Sequence, residues 1–294
     1  HLSWGLDVVV VGGKNSAVEA ALQLYRAGAR VTLVYRGAAL KPSVKYWLGP
    51  DLANRLRSGE IRGRFEAEVV RIDPGWTTIR NADGDELYFI HTGCGQFETD
   101  YGVLPYEPGD YVLLPKGTTY RIKVETGPSL FVIVETPALM KLPDRGLLGQ
   151  HALFDLGVIS APTLNAEDFR QEQDGREWEV RIKRAGVYTS VIYPFYPMDV
   201  VGWKGDVWVA KLNVRDFRPV VSARYHLPPS VHATFQAGGC LISTFAPRPL
   251  ESDPQSLRVP FYHRNMDYDE ALFYHQGSFF SRAGIQPGMM TLHP

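Results

Sequence analysis

The sequence predicts a mainly β protein in which two jelly-roll barrels follow a short α/β unit. Residues Leu6 to Ile72 alternate between continuous apolar runs and an amphipathic stretch, as βαβ units do. From about residue 73 onward, short apolar runs recur between strong turn residues, without helical periodicity. Similar spacings of glutamate, glycine and proline occur in the early and late parts of this second region, which indicates two related barrels.

Composition and charge exclude several classes of partner. The 294-residue chain has a formal net charge of −1, which gives no reason to expect nucleic acid or an anionic membrane as a partner. No apolar run approaches the roughly 18 residues of a membrane span, and no signal peptide is visible. Cys94 and Cys240 stand in no paired motif, which fits a reducing compartment. We therefore expect a cytoplasmic protein.

Residues 1–74 are predicted to form a partial Rossmann-like βαβ unit. The run DVVVV, Asp7 to Val11, is typical of a buried parallel strand. An amphipathic helix over Val18 to Arg26 follows, and Gly28 ends it. Val31 to Tyr35 then predicts a second strand. This arrangement directs a helix N-terminus at any ligand above the intervening turn.

The turn between the first strand and the helix is typical of phosphate binding, because glycines let the backbone approach a pyrophosphate closely. It fits the generic G-x-G-x-x-[GA] pattern only in part, since Lys14 replaces the middle glycine. Arg36 follows the second strand, where it would meet the 2′-phosphate of NADPH, or else be a solvated charge. The candidate cofactor-binding residues are Gly12, Gly13, Lys14, Asn15, Ser16 and Arg36.

This segment resembles the NADPH-binding segment of bacillithiol-disulfide (bacilliredoxin) reductase flavoproteins. The resemblance is carried by VVVVGGKNSAVEAALQLYRAGARVTLVYRG and SVKYWLGPDLANRL, and it covers about residues 1–73. The lysine in GGKNSA is usual in that family. The resemblance implies NADPH as a cofactor, but it covers only part of the NADPH domain and none of the flavin domain.

Residues 75–137 are predicted to form a first cupin barrel. Cupin motifs read G-x5-H-x-H-x3-4-E-x6-G and G-x5-P-x-G-x2-H, and several positions match these spacings: Glu86, Gly93, Gly109, Pro115 and Gly117. The histidine positions hold Asn81, Asp83 and Tyr120 instead. We therefore predict a barrel without a metal. An oxygen-ligand site made by Asp83, Asp85 and Glu86 is the alternative.

Residues 138–197 are predicted to be a connector with a charged excursion, and residues 198–294 a second cupin barrel. His263, Asn265, Glu270 and Gly277 there read H-x-N-x4-E-x6-G. Two histidines and a carboxylate commonly bind non-haem Fe(II), so His263 and Glu270 are candidate metal ligands. The opposite interpretation is an ordinary hydrogen-bonded pair in a barrel without a metal.

The same region resembles homogentisate 1,2-dioxygenases and their bacterial relatives over about residues 76–294. The matching segments are PMDVVGWKGDVWVAKLNVRDF, HLPPSVHATFQAGGCLISTFAPRPLE, FYHRNMDYDEALFYHQG and GMMTLHP, with NADGDE and YEPGDYVLLPKGTTYR in the first barrel. The resemblance implies a bicupin with Fe(II) in its second barrel and a homo-oligomeric assembly. It also implies a reaction of tyrosine and phenylalanine catabolism, in which O2 opens the ring of homogentisate to give maleylacetoacetate.

The resemblance further implies roles for individual residues. His263 and Glu270 match two iron ligands. His226 matches the histidine that handles the phenolic proton of the substrate, although it could also be a satisfied core histidine. His293 matches a pocket histidine, and Asn265, at a position that is a ligand in other cupins, is expected to orient the substrate.

Two features of the predicted iron site stay open. Glu270 follows His263 by one residue more than in the animal enzymes, so Asp269 is a rival ligand, although E-x6-G favours Glu270. The third ligand of the family, a histidine, would fall beyond Pro294. We therefore expect weak iron binding and little turnover from this chain.

Three functions remain as hypotheses. The first is the iron-dependent, homogentisate-type dioxygenase, acting on a small aromatic substrate and O2. The second is a fragment of an NADPH-dependent flavoprotein disulfide reductase, contributed by residues 1–73. The third is a metal-free bicupin that acts as a binding or structural module.

Overall fold

The computed structural model describes residues 7–66, 77–149, 151–164, 175–198, 208–258, 261, 266–279 and 283–293. The chain divides into two units, residues 1–73 and 74–294, and each is described separately. The finer boundaries predicted within the longer unit stay predictions. Among the helices in the described ranges, none combines the length and apolar character needed to cross a membrane.

The shorter unit is a three-stranded parallel sheet with two helices. Strand β1 is Asp7–Val11, helix α1 is Asn15–Arg26 and strand β2 is Arg30–Val34. Helix α2, Gly49–Ser58, and strand β3, Arg62–Arg64, follow. The strands lie in the order β1-β2-β3, and both pairings are parallel.

Strand alternation separates the two faces of this sheet. Val8 and Val10 pack against the apolar core of the unit, while Val9 and Val11 are exposed. The core is made of buried residues from both helices, from β2 and from the positions directly before β2 and β3: Val18, Ala21, Leu22, Ala29, Val31, Leu33, Leu52 and Ile61. Gly28 follows α1 with a φ of 87°, as expected for a residue that ends a helix in the left-handed region.

The longer unit contains one eight-stranded sheet. Its strands are β4 (Thr78–Asn81), β5 (Asp85–Thr99), β6 (Gly102–Tyr106), β7 (Asp110–Leu114), β8 (Thr119–Thr136), β9 (Trp178–Arg184), β10 (Val187–Tyr193) and β11 (Ala210–Asn213). The strand order is β10-β9-β4-β8-β5-β7-β11, and β6 pairs with β5. All of these pairings are antiparallel except that of β4 with β9.

Buried aromatic rings fill the centre of this sheet structure. Tyr88 packs edge-on against Phe97, Tyr120 and Phe131, with ring centroids 5.2, 6.1 and 5.8 Å away. At the start of β8, Tyr120, Ile122 and Val124 alternate with charged residues, so one face of that part of the strand is apolar. Burial of these rings stabilises the sheet that carries the residues with cupin spacing in the first predicted barrel. These residues are called the first motif set: Asn81, Asp83, Glu86, Gly93, Gly109, Pro115, Gly117 and Tyr120.

Two separate hairpins complete the described strands. Strands β12 (Ala233–Ala237) and β13 (Cys240–Ser243) form one, and β14 (Glu270–Phe273) and β15 (Met290–His293) form the other. The prediction of a mainly β protein is confirmed, since strands outnumber helices throughout the longer unit.

Candidate active site

The hairpin of β14 and β15 has the same register as the pairing of β5 with β7. Glu270 lies opposite His293, which is the fifth residue after Gly288. Glu86 lies opposite Leu114, which is the fifth residue after Gly109. The residues with cupin spacing in the second predicted barrel are called the second motif set: His263, Asn265, Glu270, Gly277 and Gly288. The two motif sets therefore place their glutamates on equivalent strand positions.

The motif glycines also adopt equivalent backbone conformations. Gly93 and Gly277, each seven residues after the motif glutamate, have φ angles of 88° and 103°. Gly109 and Gly288, which begin the second motif in each part, have φ angles of 88° and 83°. Side chains with a Cβ rarely occupy this region, so the spacing of these glycines specifies the turn geometry.

Glu270 and His293 form a hydrogen-bonded pair across the hairpin. His293 Nδ1 lies 3.0 Å from Glu270 Oε2, and the two side chains are 31% and 35% exposed, respectively. His293 Nε2 is buried and has no hydrogen-bond partner within the described ranges. The carboxylate is accessible enough to contact a cation or a ligand with its other oxygen.

The opposite face of the same hairpin packs on β5. Phe273 is three residues after Glu270 on β14, so the two side chains point to opposite sides of the strand. Phe273 contacts His91, with ring centroids 5.1 Å apart, and His275 contacts Phe89 at 5.0 Å. The Glu270–His293 pair therefore lies on the face of the hairpin that is turned away from β5.

His91 and His275 also bond directly, with their Nδ1 atoms 2.9 Å apart. One ring must donate its proton and the other accept it. Burial lowers the pKa of both imidazoles, which favours the neutral forms that such a bond requires. Sequence reasoning missed this pair because no motif joins two histidines that are 184 residues apart.

His226 lies in a partly buried pair with Glu251, and its Nδ1 is 3.0 Å from Glu251 Oε1. Its ring packs edge-on against Phe261, with centroids 5.3 Å apart. Phe261 precedes His263 by two residues. Glu251 was not predicted as a site residue, since nothing in the segment RPLE indicated its partner.

The remaining candidates for the iron site are only partly placed. His263 and Asn265 lie outside the described residues. Asp269, the rival ligand, is exposed beside Glu270. Within the described ranges, no three histidine, cysteine, aspartate or glutamate side chains are grouped so as to hold a metal ion.

The polar side chains of the first motif set form a hydrogen-bond network. Tyr120, at the position of the last cupin histidine, donates to Glu86 Oε2 at 3.0 Å, and the hydroxyls of Tyr88 and Tyr120 lie 2.7 Å apart. Burial raises the pKa of the Glu86 carboxyl, and the Tyr120 and Asn81 hydrogen bonds oppose that shift. Asn81 also donates to Glu135, at 3.0 Å.

Two carboxylates of the alternative oxygen-ligand site accept hydrogen bonds from the backbone. The Asp83 carboxylate accepts backbone N–H bonds from Ala185 and Gly186, at 2.5 and 2.8 Å. Asp85 accepts backbone bonds from Lys116 and Met140, at 2.8 and 2.7 Å. Such contacts are typical of aspartates that tie turns to neighbouring strands.

The glycine turn of the shorter unit is closely packed. A side chain at Gly13 would lie 2.5 Å from the Tyr35 ring, and Gly12 has a φ of 141°. Asn15 Oδ1 accepts the N–H of Lys45 at 2.7 Å, so this side chain fixes the turn to the next loop.

The other candidate side chains of this turn face solvent. Lys14, Ser16 and Arg36 are exposed. They are therefore accessible to a phosphate ligand, whereas Gly12 and Gly13 contribute close backbone packing.

Comparison with known families gives two matches along the chain. Residues 72–213 match the family described as homogentisate 1,2-dioxygenase N-terminal. Residues 3–90 match the family described as pyridine nucleotide-disulphide oxidoreductase.

Individual relatives include dioxygenases that match about three quarters of this chain. A protein of Saccharolobus solfataricus named "Putative dioxygenase" is 33% identical over 76% of this chain and 58% of its own length. Homogentisate 1,2-dioxygenases of Nitrobacter hamburgensis and Rhizobium leguminosarum bv. trifolii are 29% and 30% identical, over 72% of this chain and 48% of theirs. The chain thus spans about half the length of the curated relatives it matches.

Among solved structures, the bacillithiol disulfide reductase of Bacillus cereus is 35% identical, with a TM-score of 0.24, over 37% of this chain and 28% of that chain. The resemblances inferred from the sequence are confirmed. The longer part of the chain is similar to homogentisate 1,2-dioxygenases, and its N-terminal part is similar to pyridine nucleotide-disulphide oxidoreductases.

Proposed function

We propose that this chain is part of a non-haem Fe(II)-dependent dioxygenase that cleaves the ring of homogentisate, with its iron site in the second of two cupin barrels. One observation carries the proposal: β14 and β15 repeat the register of β5 and β7, so Glu270 occupies the strand position of Glu86. The similarity to homogentisate 1,2-dioxygenases supports the choice of substrate.

The chemistry of the donor groups fits Fe(II). Carboxylate and imidazole together are the ligand types of non-haem iron sites with open positions. His263 and Glu270 would hold the metal, and Glu270 is partly exposed rather than enclosed in the core. His293 bonds one oxygen of Glu270 and so restrains the orientation of the carboxylate.

When bound, Fe(II) would supply the electron-transfer chemistry that lets O2 react with an aromatic ring. The other residues would prepare the substrate. His226 would accept the phenolic proton, and Asn265 would orient the ring by hydrogen bonding. His293 would contribute to the pocket beside Glu270.

The first barrel, in this proposal, is structural. Tyr120 and Glu86 bond each other at the positions where a cupin would hold its metal. Because the Tyr88 hydroxyl joins the same network, the polar groups at its centre are paired without a cation.

Anaerobic Fe(II) titration of the whole chain tests the proposal. We expect Glu270→Ala to weaken binding by at least about tenfold, since it removes a ligand. The matched variant Asp269→Ala should leave binding within about twofold. Equal binding by wild type and Glu270→Ala would contradict the assignment, and failure of wild type to retain Fe(II) would favour the metal-free bicupin. Oxygen uptake with homogentisate then measures how much turnover this chain supports.

A second candidate function is nucleotide binding by residues 1–73. The match to pyridine nucleotide-disulphide oxidoreductases and the exposed Arg36 near the glycine turn favour it. Calorimetry should give tighter binding of NADPH than of NADH, and Arg36→Glu should remove that difference. No binding of NADPH at millimolar concentration would exclude it. Reductase activity is the less favoured function, because the dioxygenase similarity covers 72–76% of the chain.

A further inference from the structure

We propose that Glu251 is a positioning residue that holds His226 in the tautomer able to accept a proton at Nε2. The identity of the proton donor, a phenolic substrate, rests on the proposed function. The pairing of Glu251 with His226 is independent of that function, since it depends only on the two side chains and their surroundings.

The contact between the two side chains is short and sheltered from water. His226 Nδ1 lies 3.0 Å from Glu251 Oε1, and the side chains are 18% and 6% exposed. A carboxylate makes a stronger hydrogen bond than a neutral acceptor, and low exposure strengthens it further. Glu251 therefore has a defined effect on one ring nitrogen of His226.

Backbone hydrogen bonds also join the two loops that carry His226 and Glu251. The carbonyl of Ala223, three residues before His226, accepts the N–H groups of Ser252 and Asp253 at 3.1 and 2.9 Å. These two residues directly follow Glu251. The loop that carries the imidazole and the loop that carries the carboxylate are thus fixed to each other.

The ring of Phe261 packs against the imidazole of this pair. It packs edge-on against His226, and it stands two residues before His263. Phe261 also restricts the rotation of the imidazole, which keeps Nδ1 directed at Glu251.

The chemical consequence follows from the tautomer. A hydrogen bond from Nδ1–H to a carboxylate leaves the lone pair on Nε2 free to accept a proton. The phenolic hydroxyl would give its proton to Nε2, producing a phenolate and an imidazolium. The negative charge of Glu251 then offsets the positive charge of His226, as a buried carboxylate does for other catalytic histidines.

Glu251 is suited to remain ionised for this role. A hydrogen bond from its own backbone N–H, and then the bond with His226, lower the pKa of the carboxyl. Its second oxygen, Oε2, is buried without a hydrogen-bond partner in the described part of the chain. Its Oε1 has His226 as a side-chain hydrogen-bond partner.

Nitrogen NMR of the whole chain with ¹⁵N-labelled histidine tests the proposal at neutral pH. We expect His226 to be protonated at Nδ1 in wild type. In Glu251→Leu, the ratio of Nδ1–H to Nε2–H should fall roughly tenfold or more, because a charged hydrogen bond is lost. Glu251→Gln should retain the Nδ1–H form, since its amide oxygen still accepts. Asp253→Asn is the matched control and should change nothing.

Each outcome decides the question. Wild-type His226 protonated at Nε2, or an unchanged ratio in Glu251→Leu, would overturn the proposal. Resonances of His91 and His275 report in the same spectra whether a variant remains folded. If Glu251→Leu does not fold, the wild-type and Glu251→Gln tautomers still decide it. The measurement needs neither iron nor substrate, so failure of the dioxygenase proposal would appear in the Fe(II) titration and not here.

Discussion

The two motif sets place a glutamate on the same strand position but surround it differently. Glu86 is 9% exposed and is bonded to the buried Tyr120. Glu270 is partly exposed and is bonded to His293. In the first set a phenol closes a network inside an aromatic core, while in the second an imidazole pairs with an accessible carboxylate. The comparison shows that shared spacing fixes the framework and that residue type and burial decide the chemistry.

The largest expected effect comes from removing the ring that closes the first set. Tyr120→Ala should lower the free energy of unfolding by about 3–5 kcal/mol, since it leaves a cavity and takes the hydrogen bond from buried Glu86. Urea denaturation followed by near-ultraviolet circular dichroism measures this. Tyr120→Phe is the matched control, because it keeps the ring and should lose only about 1–2 kcal/mol. Equal losses would mean that the hydroxyl, rather than packing, dominates.

The imidazole of His232, directly before β12, should make the stability of the longer unit sensitive to acid. Burial, followed by the charge of Arg248, lowers the pKa of His232 to about 4. The unfolded chain has a higher histidine pKa, near 6.5, so this stabilisation is present above pH 6.5 and is lost as the pH falls toward 4. The loss should be on the order of 1–3 kcal/mol.

His232→Gln should remove most of this acid dependence, because it removes the titrating imidazole. The glutamine amide oxygen could still accept the hydrogen bond that Arg248 donates to His232 Nε2. Unfolding free energies measured between pH 4 and 7 make the comparison. The same slope in both proteins would show that other groups cause it.

The bond between His91 and His275 links the two parts of the comparison and should have a smaller effect. We expect His91→Phe and His275→Phe each to destabilise the packing of β14 on β5. A double-mutant cycle should give a coupling of about 1 kcal/mol. Hydrogen exchange of the β14 amides should become faster in both single variants. Additive losses, with no coupling, would contradict a direct bond.

The smallest effect on stability should come from the titration of Glu86 in the first motif set. Burial raises the pKa of Glu86, so the stability it contributes is present below its unfolded pKa and is lost as the pH rises through the folded value. Glu86→Gln should flatten this decline while retaining the acceptor for Tyr120. The difference between wild type and variant, followed by urea denaturation from pH 4 to 8, isolates Glu86 from other carboxylates. A constant difference across that range would exclude its titration.

Much of the framework could be predicted from spacing alone. The motif glycines Gly93, Gly109, Gly277 and Gly288 all adopt positive φ angles, as their positions in tight turns require. The strand at Asp7–Val11 and the end of the following helix near Gly28 could also be predicted, because a continuous apolar run and a C-terminal glycine are local signals. The strand is buried on one face only, since Val9 and Val11 are exposed. The cofactor-binding residues and the iron ligands remain predictions.

The sequence by itself determined the mainly β character, the glycine turns and the residue types of both motif sets, since these depend on neighbours in the chain. Only the tertiary structure decided that Tyr120 bonds Glu86, that Glu251 bonds His226 and that His91 bonds His275. These contacts join residues separated by 34, 25 and 184 positions. Strand register and loop packing bring them together, and a local pattern carries no information about which distant side chain fills the space beside it.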